Sequence, residues 1–203
     1  MKSFVAILCI AAPAASFAQI LNAAPTANNG SGGIFMNLTP ASQNLSVTSF
    51  DTFFSTAGAY TAQIWTRPGT YVGFTGSNAG WTLFDTVAGT STGSATLSPI
   101  VLNSALSLTA GNTTGIYIIG TVNNIRYNGT AALPPTTTWS NADLTMFSAH
   151  ARTGGTAFGG TEFTPRTFAG DVRYTVQAVP EPATMAALGF GALALLRKRR
   201  KAG

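Results

Sequence analysis

Charge is what this chain has least of. Asp, Glu, Lys and Arg make up 8% of its 203 residues, and the basic ones are unevenly placed. Arg197, Lys198, Arg199, Arg200 and Lys201 hold five of the eleven, and Lys2 is a sixth. From Gln19 to Pro182 the chain keeps Arg67, Arg126, Arg152, Arg166 and Arg173 against Asp51, Asp85, Asp143, Glu162, Asp171 and Glu181, five minus six, or −1. The formal net charge of +5 therefore belongs to a tail. A near-neutral body without lysine offers no electrostatic footprint for nucleic acid.

Thiols and imidazoles are equally scarce. The single cysteine, Cys9, lies in the N-terminal leader. The body thus has no disulfide framework and no cysteine nucleophile. Leu8 stands before Cys9, where a lipid-attachment site would carry a small residue. His150 is the single histidine, so a multi-histidine metal site is excluded. No Gly-x-Ser-x-Gly elbow frames a serine nucleophile. The body's carboxylates carry no pairing signal of the kind a glycosidase needs, and isolated Asp near turns usually accept local amides. A calcium ion between sandwich loops would draw on Asp143 or Asp171. The glycine-rich TGGTAFGG, residues 153–160, lacks a Walker lysine and precedes no helical pattern, so it reads as a loop. The expectation is a chain with no catalytic residues, no metal and no cofactor.

Sustained helical periodicity is also missing from the body. Alternation takes its place. In DVRYTVQAV, Val172, Tyr174, Val176 and Ala178 share one face, and in AYTAQIW Tyr60, Ala62 and Ile64 do. SLTAGNTTGIYIIGTV reads as a strand, a Gly-Asn turn and an apolar strand, Ile116 to Val122, buried on both faces. WTLFDTV, SATLSPIVL, IRYNG and LTMFSAHA read as further strands. About ten short strands with turns between them predict an all-β fold, an antiparallel sandwich or jelly roll. Trp65, Trp81, Phe53, Phe54, Phe74, Phe84 and Phe168 are the candidate core rings. Aromatic rings on exposed loops stack on sugar faces. Tyr71, Phe74 and Trp81 in TYVGFTGSNAGW, with Tyr127 in IRYNGT, are the candidate glycan contacts. The same positions suit core rings that flank turns.

The two ends read as addresses. MKSFVAILCIAAPAASFAQ has one cation, an apolar run from Phe4 to Ala12, and Ser16 and Ala18 at −3 and −1 of a cut before Gln19. That is the layout of a secretory signal peptide, residues 1–18. At the other end, residues 183–196 carry no charge. As a helix, that run spans about 21 Å against a bilayer core of about 30 Å, a marginal span closed by cations. Pro180 and Pro182 leave an extended strip outside it. The expected division is therefore a signal peptide at 1–18, a β-sandwich at 19–178 and a tail at 179–203. The tail comprises a motif at 179–182, a short transmembrane helix at 183–196 and a basic end at 197–203.

Val179, Pro180, Glu181 and Pro182, followed by the apolar run and RKRRK, resemble the PEP-CTERM sorting signal of Gram-negative bacteria. The resemblance implies recognition by an exosortase, with Pro180, Glu181 and Pro182 as the recognised residues. It implies transient tethering in the inner membrane, then a place at the cell surface or outside it, often where exopolysaccharide is made. A second resemblance covers the body: RPGTYVGFTGSNAGWTLFDT, SNADLTM and TPRTFAGDVRYT are similar to a β-sandwich module of secreted bacterial proteins, and this implies no activity. Together they predict a non-enzymatic exported surface or matrix protein. A module that binds exopolysaccharide is the alternative.

Overall fold

The computed structural model describes residues 18–177. Residues 1–17 of the expected signal peptide, Ala178, the Pro180, Glu181 and Pro182 motif and the apolar helix fall outside them. One compact unit, Phe17–Gln177, contains every described residue. It is all-β, as expected, with no helix among the described residues.

Twelve strands follow in chain order: β1 Ala18–Asn22, β2 Asn29–Pro40, β3 Leu45–Thr52, β4 Ala57–Pro68, β5 Thr82–Thr92, β6 Ser98–Leu108, β7 Thr114–Val122, β8 Ile125–Tyr127, β9 Thr138–Ser140, β10 Leu144–Thr153, β11 Glu162–Phe163 and β12 Gly170–Val176. A four-stranded sheet runs β1-β12-β3-β6, and a larger one runs β11-β10-β2-β7-β4-β5, with β8 on β2 and β9 on β10. Every pair of named strands is antiparallel.

The predicted alternation holds where it was clearest. Val172 and Tyr174 on β12, and Tyr60, Ala62 and Ile64 on β4, enter one core with Leu45, Val47 and Phe50 of β3 and Ile100 of β6. Residues of both sheets meet there, which makes the unit a sandwich. Tyr60 fastens the layers: its hydroxyl donates to the Pro99 carbonyl at 2.6 Å. At the edges, Asp85 of β5 accepts the Asn103 backbone N–H and its side-chain amide, each at 2.8 Å, and so ties β5 to β6.

β7 is buried on both faces, as its run of apolar residues predicts. Ile116 and Ile118 enter the sandwich core. Tyr117 and Ile119 point the other way, into a second cluster with Phe35, Tyr71 and Trp81. The larger sheet thus carries an extra layer on its outer face, made by the segments 69–81 and 154–161. Glycines make room for it. A Cβ on Gly33 would come within 2.6 Å of the Tyr117 ring.

The core expectation needs one correction. Phe53, Phe54, Trp81 and Phe168 are buried, and Trp65 and Phe84 are partly so. Phe74 is 45% exposed. It sits on the covering loop, and the Arg67 guanidinium lies 3.3 Å from its ring centroid. Cation–π contact, not burial, is what that ring supplies.

Candidate functional site: an uncharged cleft over an aromatic layer

The site begins with a β-bulge. Along β10, Leu144 and Met146 face the sandwich core. Strict alternation would send His150 and Arg152 there too. The register against β2 shifts between Phe147 and His150, so two residues of β10 stand opposite one of β2. His150 and Arg152 therefore emerge on the outer face alongside Phe147. The two inserted residues are used: the Ser148 hydroxyl donates to the Phe35 carbonyl at 2.7 Å, and the Ala149 N–H donates to the Tyr71 hydroxyl at 2.9 Å.

The aromatic layer is built on Phe35 of β2. Tyr117 stacks on it at 4.0 Å between centroids, and Tyr71 at 5.7 Å. Phe158 wedges against Tyr117 at 4.9 Å, Trp65 at 5.3 Å and Trp81 at 5.6 Å. Burial pushes the Tyr71 and Tyr117 hydroxyls well above the ordinary phenol range.

Arg152 clips the two covering segments together. Its Nε donates to the Thr75 carbonyl at 2.8 Å, and its Nη1 donates to the carbonyls of Gly160 at 2.9 Å and Gly159 at 3.2 Å. Glu162 closes the group. It accepts the Thr75 hydroxyl at 2.6 Å and lies 3.8 Å from Arg152 Nη2. On the other side of the loop, Asn37 donates to the Thr70 hydroxyl and accepts the Tyr71 N–H.

His150 belongs to this scaffold. Its Nδ1 lies 3.1 Å from the Tyr71 hydroxyl, and its Nε2 lies 3.9 Å from Glu162 Oε1. The Tyr71 oxygen also accepts the Ala149 N–H. The Glu162, His150 and Tyr71 chain therefore ends on an enclosed phenol. These contacts hold Tyr71 in the buried aromatic layer.

Between the two segments and the sheet lies a cleft of about 510 Å³, lined by Gln63, Trp65, Asn78, Thr121, Thr156 and Phe158 among others. No charged residue lines it. Trp65 forms one wall, its indole N–H donating to Gln63 Oε1 at 3.1 Å. Chemically this is half-exposed ring surface rimmed by amides and hydroxyls. Such a surface offers ring stacking and neutral hydrogen-bonding groups, and no ion pair.

The residues singled out from sequence fall elsewhere. Tyr71, Trp81 and Tyr127 are 0%, 8% and 2% exposed. Tyr71 and Trp81 support the aromatic layer, whereas Tyr127 points into the sandwich core. None of the three presents a face for a sugar, which corrects that expectation, and Phe74 alone of the four is exposed. Tyr71 and Trp81 can lie inward because their polar atoms find partners there: the Tyr71 hydroxyl accepts the Ala149 N–H at 2.9 Å, and Trp81 Nε1 donates to the Phe74 carbonyl at 2.8 Å. Trp65 and Phe158, which wall the cleft, are not among the candidate glycan contacts read from the sequence. Trp65 was read as core. The signal for Phe158 was weak: one ring inside TGGTAFGG.

The body's acids are accounted for individually. Asp51 accepts Ser49 and Arg173, Asp171 accepts Asn22, and Asp143 lies 3.3 Å from the Tyr174 hydroxyl. Among the described residues no group of three His, Cys, Asp or Glu is placed to hold a metal ion.

No curated protein matches the chain. Residues 178–201 match the PEP-CTERM protein-sorting motif, so this all-β chain carries the signal of an exported protein that an exosortase sorts.

Proposed function

We propose that the chain is a non-enzymatic surface or matrix protein. In this reading it is exported through the inner membrane of a Gram-negative bacterium behind a signal peptide, then tethered briefly by residues 183–196. Exosortase binds Pro180, Glu181 and Pro182, and the sandwich is released or attached outside. The observation that carries this is the sorting motif at 178–201, carried by a chain whose body is a β-sandwich. Cleavage before Gln19 removes only Ala18 from β1, so the small sheet keeps its edge strand. The test is mass spectrometry of the exported protein's C-terminus, in wild type and in the triple alanine variant of Pro180, Glu181 and Pro182. The reading expects wild type to lose the apolar and basic segments and the variant to retain them. Identical processing of both would refute it.

The cleft favours a second reading, binding of a neutral carbohydrate such as a segment of exopolysaccharide. The supporting observation is the joint presence of Trp65, Phe158, amides and hydroxyls with no charge at the opening. Trp65→Ala should abolish retention on a neutral polysaccharide matrix while leaving the melting temperature within a few degrees. Unchanged retention would remove this reading and leave the sorting claim intact.

A further inference from the structure

Arg67, Arg126 and Arg166 each have an enclosed Nε without a partner, and of the three Arg166 is the most buried and lines a cavity. Its side chain is almost wholly enclosed, with 7% of the residue exposed. Arginine is almost never buried to that degree without a partner. Yet the ion pairs of the described residues join His150 and Arg152 to Glu162, and Arg173 to Asp51, and none involves Arg166. Its Nη1 donates to the carbonyl of its own neighbour, Pro165, at 2.7 Å. Its Nε is enclosed and has no partner. A guanidinium has several further N–H donors in a fixed fork, and that fork matches a carboxylate.

Arg166 lines a cavity of about 300 Å³ together with Asn29, Gly30, Tyr127, Thr153 and Phe163. No acid lines it. The Asn29 side chain is spent on local backbone: its Nδ2 donates to the Gly129 carbonyl and its Oδ1 accepts the Gly30 N–H. The Thr153 oxygen accepts the Thr161 N–H at 3.1 Å, which leaves the hydroxyl proton to donate. The free polar capacity of the cavity is therefore donor capacity, and one donor is a full positive charge. Phe163 stands at the mouth, 38% exposed, with the Arg166 guanidinium carbon 5.5 Å from its ring centroid. Gly30 shapes the wall. Its φ is +94°, and a Cβ there would come within 2.4 Å of the Tyr127 ring.

We propose that this cavity binds a small monocarboxylate, with Arg166 gripping the carboxylate in its fork, the Thr153 hydroxyl donating to it, and the Phe163 ring covering the body of the ligand. Three features select that class. A single unopposed cation matches one negative charge better than the near-double charge of phosphate. The volume lies at the lower end of ordinary ligand pockets, about 300–1,000 Å³. The flat ring beside the cation suits a sugar acid or a hydroxy acid, whose carbon skeleton can lie on it. The site shares no lining residue with the neutral cleft, so it stands or falls without it.

The test is an NMR titration of the full chain, held in a mild detergent, that follows the backbone amides of Gly30 and Phe163. Four probes are used: sodium glucuronate, sodium lactate, glucose and inorganic phosphate. Glucuronate should shift both amides to saturation and glucose should not, since the two differ only by the carboxylate. Lactate should also bind, more weakly if the ring contact contributes. Phe163→Ala should narrow the gap between glucuronate and lactate. Arg166→Gln should cost at least about tenfold in glucuronate affinity. Should that variant fail to fold, the comparison of glucuronate with glucose on the unaltered chain still decides. Equal responses to glucuronate and glucose would overturn the proposal. So would saturation by phosphate alone, or a folded Arg166→Gln variant that binds glucuronate as well as the parent.

Discussion

Raising the pH should unfold the sandwich through its buried tyrosines. The hydroxyls of Tyr60, Tyr71, Tyr117 and Tyr174 are all pushed above the ordinary phenol value of 10.0, with burial the largest cause in each. The sign follows from linkage. A group whose folded pKa is raised contributes its full stability below the unfolded pKa and loses it as pH climbs through the folded one. The unfolded chain releases these protons near pH 10, whereas the folded chain holds them. Tyr71 and Tyr117 are fully enclosed and carry the largest shifts. Each should then lose about 1.4 kcal/mol of stability by about pH 11, roughly 3 kcal/mol for the pair. Against a typical total of about 5–15 kcal/mol, that is a large fraction. Tyr60 and Tyr174 are raised as well and act in the same direction. Urea unfolding at a series of pH values reads the loss, and phenolate absorbance of the folded protein reads the titration directly. Tyr117→Phe should flatten the slope by about one proton's worth. If stability stays level through about pH 11 while the folded tyrosines titrate at their ordinary value, the second aromatic layer is not the closed, dry structure described.

Four further outcomes follow from the same packing. Ile118→Ala, in the centre of the larger sheet and fully buried, should cost about 4 kcal/mol in urea unfolding. Arg152→Met removes three hydrogen bonds that join the covering segments. It should lower stability by about 2–3 kcal/mol and speed chymotrypsin cleavage at Phe74 and Phe158 over cleavage elsewhere. Gly170→Ala should cost about 3 kcal/mol or more, because φ is +140° and the new Cβ would lie 1.8 Å from the Asp51 carbonyl. Gly73→Ala, also at positive φ but with open space around it, should cost only about 1 kcal/mol in the same melt.

Period-two patterning made β4, β7 and β12 legible, because each buries a clean alternating set or a continuous run. It hid β2, which sits between β10 and β7 in the larger sheet. That strand opens on Asn29, Gly30, Ser31, Gly32 and Gly33 and closes on Pro40, all of which read as loop. The glycines are there for neighbours that lie far off in sequence: Gly30 for Tyr127, and Gly33 for Tyr117. A local reading cannot see such partners. The bulge in β10 was hidden for the same reason. Nothing in LTMFSAHART marks where the parity changes, and that change is what brings His150 and Arg152 to the outer face. The tail was legible because its three parts act in order along the chain and need no fold to be recognised.

The two outer faces of the sandwich show where ligand chemistry has room. On the small sheet, Asp51 and Asp171 stand opposite one another across β3 and β12. Two like charges so placed repel. Here Arg173 and Ser49 hold Asp51, and Asn22 holds Asp171, so partners offset the repulsion. On the larger sheet the charges are spent differently. Arg152 and Glu162 staple loops over an aromatic floor, and the cleft that results is neutral. Arg67 is spent on a ring. In a body with so few charges, each one is diagnostic of local design. An arginine that is enclosed, lines a cavity and pairs with no acid among the described residues is then a feature that packing alone leaves unbalanced, because a buried cation is tolerated only when something answers it.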